Sequence, residues 1–174
     1  MKRAHLGFTL VELMVALAVG SFLIAGVGLS YATIKGTVSA TKELENAQEV
    51  VRFTSQVLTR SLKQTPFAPV VSADGSTLRV QQQAGVLSCL GTTPSADYIE
   101  QYRLVDGRIQ CDMGAGGEDI LTGVTALSFS YDATTKLTTI NVTPQGLPQQ
   151  FGGQVQIDIA ASRLILSELY GASS

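Results

Sequence analysis

From Leu13 to Ile34 the chain runs for 22 residues without a charged side chain, and this run restricts the fold more than any other feature. As a helix it extends about 33 Å, against a hydrocarbon thickness of roughly 30 Å. It is therefore long enough to cross a bilayer. Lys2 and Arg3 are the only charges ahead of Glu12. Basic residues upstream of an apolar run place the N-terminus in the cytoplasm and the remainder of the chain outside it.

Composition narrows the function classes further. The 174 residues carry 12 Lys+Arg against 14 Asp+Glu, and only 15% of side chains are charged. That fraction excludes a disordered chain, and a pI near 5.3 provides no electrostatic footprint for nucleic acid. His5 is the sole histidine, and two cysteines are too few for an ordinary four-ligand zinc site. The balance points to a membrane-tethered or exported protein and away from a soluble catalyst.

Three readings of the N-terminus compete. A secretory signal would be cut at a small-x-small site such as Ser30-Tyr31-Ala32, but its apolar core is normally roughly 7–15 residues long. A plain signal anchor tolerates Glu12 only because that residue lies near the start of the run, close to the interface. The third reading takes the offsets together. Gly7-Phe8-Thr9-Leu10-Val11-Glu12-Leu13-Met14-Val15 follows a short basic leader and opens a long apolar stretch. In this the chain resembles the type IV pilin and pseudopilin superfamily, whose leader ends in Gly before Phe-Thr-Leu-x-Glu. The resemblance implies that a prepilin peptidase cuts between Gly7 and Phe8 and methylates the amine of Phe8. Residues 1–7 would be lost as the leader, and 8–34 would serve as membrane helix and filament core.

An electrostatic role for Glu12 follows from that arrangement. Stacked apolar helices would bury its carboxylate, which is costly alone and tolerable when paired. The Phe8 amine of a neighbouring subunit is the natural counter-ion. Such a pair adds little stability but fixes register, because a misplaced subunit leaves both charges unmatched. Gly20, Gly26 and Gly28 weaken the helix by about 1 kcal/mol each relative to Ala. Close helix packing and local bending both account for them.

Beyond the apolar run, Leu44, Ala47, Val50, Val51, Val57, Leu58 and Leu62 recur at helical spacing opposite Lys42, Glu45, Glu49, Arg52, Gln56, Arg60 and Lys63. The pattern predicts an amphipathic helix over 35–65, ended by Pro66 and Pro69. After Pro69 short alternating runs replace it. Strands are expected at Thr77–Gln82, Val86–Leu90, Tyr98–Val105, Arg108–Asp112, Val124–Tyr131, Leu137–Thr143 and Gln154–Ala160, with turns at Asp74-Gly75, Asp106-Gly107 and Thr134-Thr135-Lys136. The expected fold is α+β: a long N-terminal helix packed on an antiparallel sheet domain spanning 66–174. The run "VTALSFSY" and the late strand "QVQIDIAASRL" are most similar to PilW-type minor pilins and J-type pseudopilins.

Cys89 and Cys111 fall in the exported portion, where disulfides persist, so one intrachain bridge is expected; free thiols are the alternative. Asp112, Glu118 and Asp119 cluster around glycines. Their oxygens suit calcium, but the spacing matches no regular calcium loop, and a solvated surface loop is the simpler reading. No catalytic residues and no cofactor are expected. The resemblance implies a structural subunit of an envelope filament, a minor pilin of a tip or initiation complex. Its expected partners are the prepilin peptidase, other pilins or pseudopilins and an inner-membrane assembly platform. The alternatives are a pseudopilin of a type II secretion system and a signal-anchored periplasmic binding domain that never polymerises.

Overall fold

Between Thr9 and Thr65 no proline interrupts the chain, and a single helix α1 forms over Leu10–Gln64, continuing through Gly36. The computed structural model describes residues 9–147 and 152–171. Two compact units are distinguished, Met1–Lys42 and Glu43–Ser174. In the first, the side chains of α1 are exposed almost throughout. In the second, Ala47, Val50, Thr54, Val57, Leu58, Ser61 and Leu62 of α1 are buried, recurring at the spacing an amphipathic helix requires.

The second unit contains two antiparallel sheets. The larger has β1 (Val70–Val71), β2 (Thr77–Gln82), β3 (Tyr98–Val105), β4 (Arg108–Asp112) and β5 (Gly117–Thr122) in sequence order. The smaller has β6 (Val124–Asp132), β7 (Leu137–Pro144) and β8 (Val155–Ala160), again in sequence order. The Asp106-Gly107 turn joining β3 to β4 has φ of 48° and 74°, the paired left-handed geometry that a two-residue hairpin needs. Inward residues of both sheets and of α1 share one core that includes Leu58, Leu62, Leu78, Tyr102, Phe129 and Ile140. A short helix α2, Ser162–Gly171, ends the described chain. The α+β architecture is the expected one.

Three local expectations are corrected. Val86–Leu90 is not a strand but a tight loop, because Gly85 and Gly91 take positive φ on either side and Ser88 closes it through bonds to Thr92. The acidic segment expected as a solvated loop contributes strand β5: Glu118 pairs with Cys111, and Asp119 with Gln110. Its alternation is weak because the strand lies at a sheet edge and hides little surface. The stretch after β8, read with the preceding strand, turns instead into α2, starting at Ser162.

Candidate functional site

The apolar helix starts at a capped end. Thr9 accepts the Glu12 amide on Oγ1 at 3.3 Å and the Leu13 amide on its carbonyl at 3.2 Å. Glu12 lies three residues after that cap, in the first turn, where a carboxylate complements the helix dipole. Its side chain is exposed, as are Leu10, Phe22 (79%) and Ile24 (76%). By length and composition α1 qualifies to cross a membrane, and no residue in its most apolar window is buried. Gly7 and Phe8 lie outside the described residues.

Five hydroxyls between Ser21 and Thr41 donate to carbonyls of this same helix. Ser21 donates to the Ala18 carbonyl, Ser30 to Gly26, Thr33 to Leu29, Thr37 to Thr33 and Thr41 to Thr37, at 2.8–3.1 Å. In hydrocarbon an unpaired hydroxyl costs several kcal/mol, about what a lost hydrogen bond costs in an apolar solvent. A Cβ added at Gly20, Gly26 or Gly28 would meet nothing within 4 Å beyond the neighbouring turns of its own helix. Those positions are therefore open to close approach by another apolar helix.

The far end of α1 is held by a group that sequence reasoning missed. Glu100 is 1% exposed on the inward face of β3, while its neighbour Ile99 is 41% exposed. Its Oε2 accepts hydrogen bonds from the hydroxyls of Ser61 and Tyr102 and, at 3.3 Å, from the Gln82 amide nitrogen. Its Oε1 accepts the Cys89 amide at 2.6 Å. Four donors converge on one carboxylate, the arrangement an ionised acceptor-only group requires. Gln82 also donates to the Ser61 carbonyl at 2.8 Å, which fixes the orientation of its amide. Burial and the facing Glu100 charge push the Tyr102 hydroxyl well above its ordinary pKa, keeping it a donor. The signal in the sequence was slight: Tyr98, Glu100 and Tyr102 share one face of a strand.

Nearby contacts complete the anchor. Arg60 donates to the Ser88 carbonyl at 3.1 Å, and Arg163 of α2 donates to the Gln64 carbonyl at 2.8 Å, placing a cation at the C-terminus of α1. Cys89 and Cys111 form a disulfide with Cα atoms 6.4 Å apart, so the loop whose amide binds Glu100 is also tied to β4. The bridge is the expected one.

The acidic residues considered for calcium are not brought together. Asp112 accepts the Gly114 amide at 2.7 Å and lies 3.8 Å from Arg103. Asp119 accepts Arg108 at 2.7 Å and Gln110 at 2.8 Å, and these bonds hold its carboxyl below the usual range. Glu118 is its neighbour on strand β5, so the two side chains alternate across the sheet. Among the described residues no cluster of three His, Cys, Asp or Glu side chains is placed to hold a metal.

Compared with known proteins, the full chain matches no curated protein. Residues 2–28 match the family model described as the prokaryotic N-terminal methylation motif. That motif points to a structural, membrane-anchored protein, in keeping with the exposed apolar helix it overlaps. At its N-terminus, then, the chain carries the type IV pilin signature, consistent with the type IV pilin and pseudopilin superfamily.

Proposed function

We propose that this chain is a minor type IV pilin, a structural subunit of an envelope filament's tip or initiation complex. The observation that carries this reading is the match over residues 2–28 to the N-terminal methylation motif, together with an apolar helix whose side chains are exposed. In this reading residues 1–7 are removed by a prepilin peptidase and Phe8 becomes the methylated terminus. Residues 8–34 lie first in the inner membrane and later in the filament core. The stretch 35–65 continues as the stalk, and 66–174 forms the periplasmic domain that is displayed. Other pilins and an inner-membrane platform are the assembly partners.

Glu12 supplies register. In the bilayer it stays at the interface, where the capped first turn stabilises its charge. Inside a filament it meets the Phe8 amine of a neighbouring subunit, and any other axial position leaves two buried charges unmatched.

Mass spectrometry of the purified N-terminus tests the proposal. A chain beginning at methylated Phe8 supports it. A chain beginning at Met1 indicates a signal anchor, and one beginning at Thr33 a secreted protein. Glu12→Ala should leave membrane insertion intact and exclude the subunit from sheared filaments; normal incorporation would remove Glu12 from the assembly step.

A further inference from the structure

We propose that the free edge of β8 receives an extended segment of another polypeptide, which joins the three-stranded sheet as a fourth strand and seats its inward side chains beside α1. The inference goes beyond the assembly role above and stands whether or not the chain polymerises.

The register of β8 decides which of its backbone groups are available. Leu137 pairs with Ala160 and Thr138 with Ile159, and the adjoining pair, Lys136 with Ala161, is joined by the Ala161 amide donating to the Lys136 carbonyl at 3.1 Å. Bonded and non-bonded pairs alternate along an antiparallel ladder. Val155, Ile157 and Ile159 therefore turn their amides and carbonyls toward β7, whereas Gln156, Asp158 and Ala160 turn theirs away from it. Among the described residues no backbone group meets those three from the far side.

The other sheet edges are protected, and this one is not. Strand β1 is two residues long. Strand β5 carries Glu118 and Asp119 and has an extra residue, Ile120, opposite β4. The outer edge of β6 is bonded at two points: the Phe129 amide donates to the Gly75 carbonyl at 2.8 Å and the Val124 amide to the Gly107 carbonyl at 3.1 Å. Strand β8 runs six residues in unbroken register without proline, and its inward side chains are Val155, Ile157 and Ile159.

Beside that edge the sheet stops short of covering α1. Leu44, Gln48, Val51 and Ser55 recur at helical spacing along one flank of α1 and, with Leu147 and Val155, line an apolar groove of about 590 Å³. A further strand would lie about 4.8 Å beyond β8, alongside the groove that Val155 borders. Leu44 to Ser55 spans about 16 Å of helix, the length of about five strand residues. Among the described residues Arg52 is the one charged side chain at the groove, and it makes no ion pair. The occupant is thus a short strand, apolar at alternate positions and bearing an acid on the same face. A second copy does not fit. Pairing β8 antiparallel with another β8 turns that copy's packed stretch of α1 end for end, whereas chains inserted alike in one membrane keep their helices parallel.

Fluorescence anisotropy on the full chain in detergent tests this with a labelled peptide, Thr-Val-Thr-Val-Thr-Glu, whose even positions form the apolar and acidic face. It should bind at least tenfold more tightly than Val-Val-Thr-Thr-Thr-Glu, which has the same composition without the alternation. N-methylating one alternate set of its amides should weaken binding about tenfold, while methylating the other set should not. Hydrogen exchange at Gln156, Asp158 and Ala160 should slow at least tenfold on binding, with Ile157 and Ile159 slow throughout. Gln156→Pro removes one outward donor at an edge position that tolerates proline. It should weaken the peptide about fivefold and leave Ile157 and Ile159 protected. If that variant unfolds, Leu44→Asp spoils the groove with the edge intact and should weaken the peptide as much. No binding up to about 1 mM would overturn the proposal, as would equal sensitivity to both methylated sets. Slow exchange at the three outward amides before any peptide is added would also overturn it, because the chain would then cover its own edge. None of these failures touches the N-terminal mass, so each leaves the filament reading standing.

Discussion

Glu100→Gln isolates the anchor at the far end of α1. The best amide orientation leaves its oxygen at the corner where Ser61, Tyr102 and Gln82 donate. Its NH₂ then faces the Cys89 amide, which has lost its acceptor. One buried orphan donor costs about 1–3 kcal/mol, and the three remaining bonds lose their charge assistance. Relief from burying a charge offsets part of this, leaving a destabilisation of about 2 kcal/mol. For a unit of this size that lowers the melting temperature by roughly 6 °C. The assay is thermal unfolding of the detergent-solubilised full chain with its disulfide intact, paired with hydrogen exchange at the Cys89 amide. Protection of that amide should fall together with the melting temperature. If the Gln variant is as stable as wild type and keeps Cys89 protected, the four-donor carboxylate is not what fastens this loop.

Three further outcomes follow from the geometry. Reducing the Cys89–Cys111 bridge, which spans a sequence separation of 22, should destabilise the unit by about 3 kcal/mol in denaturant titration. Gly75→Ala should cost about 1 kcal/mol or more in the same assay: Gly75 has φ of 72°, and an added Cβ would come 3.0 Å from the Phe129 carbonyl oxygen. Two pH windows should appear in stability profiles. Hydrogen bonds from Ser72 and Ser76 hold Asp74 down to about 2, so its contribution is complete above pH ~4 and is lost as pH falls toward 2. Burial, with the Glu100 charge, lifts Tyr98 to about 12, so its contribution is complete below pH ~10 and is lost as pH rises toward 12. Asp74→Asn should diminish the acid window and Tyr98→Phe the alkaline one, leaving the parts that Asp119 and Tyr102 supply.

The parts of the fold that were legible in the sequence are those where local chemistry and tertiary packing agree. Pro66 marks the end of α1, and strict alternation marks β2 and β4, whose inward residues Leu78 and Ile109 are buried. Asp106-Gly107 specifies its hairpin because few other pairs accept two left-handed residues. Legibility failed where a long-range partner decides the outcome. The Val86–Leu90 segment has strand-like composition, yet its amide at Cys89 is taken by a carboxylate eleven residues away. Strand β5 hides too little surface to leave an apolar rhythm. Glu100 was invisible because an acid between two tyrosines reads as an exposed position. Only the register of β3, which turns Ile99 outward, places that carboxylate inside. At the N-terminus the offsets among Gly7, Phe8 and Glu12 carried the reading.

The internally bonded hydroxyls of α1 bear on how a subunit could leave the bilayer. Ser21, Ser30 and Thr33 each donate to a carbonyl three or four residues back along the same helix. Their polar partners travel with them, so transfer from lipid to a protein environment neither breaks nor makes a bond at these positions. The helix behaves toward its surroundings as an almost uniformly apolar rod, and on the filament reading the work of extraction falls on Glu12 near its N-terminal end.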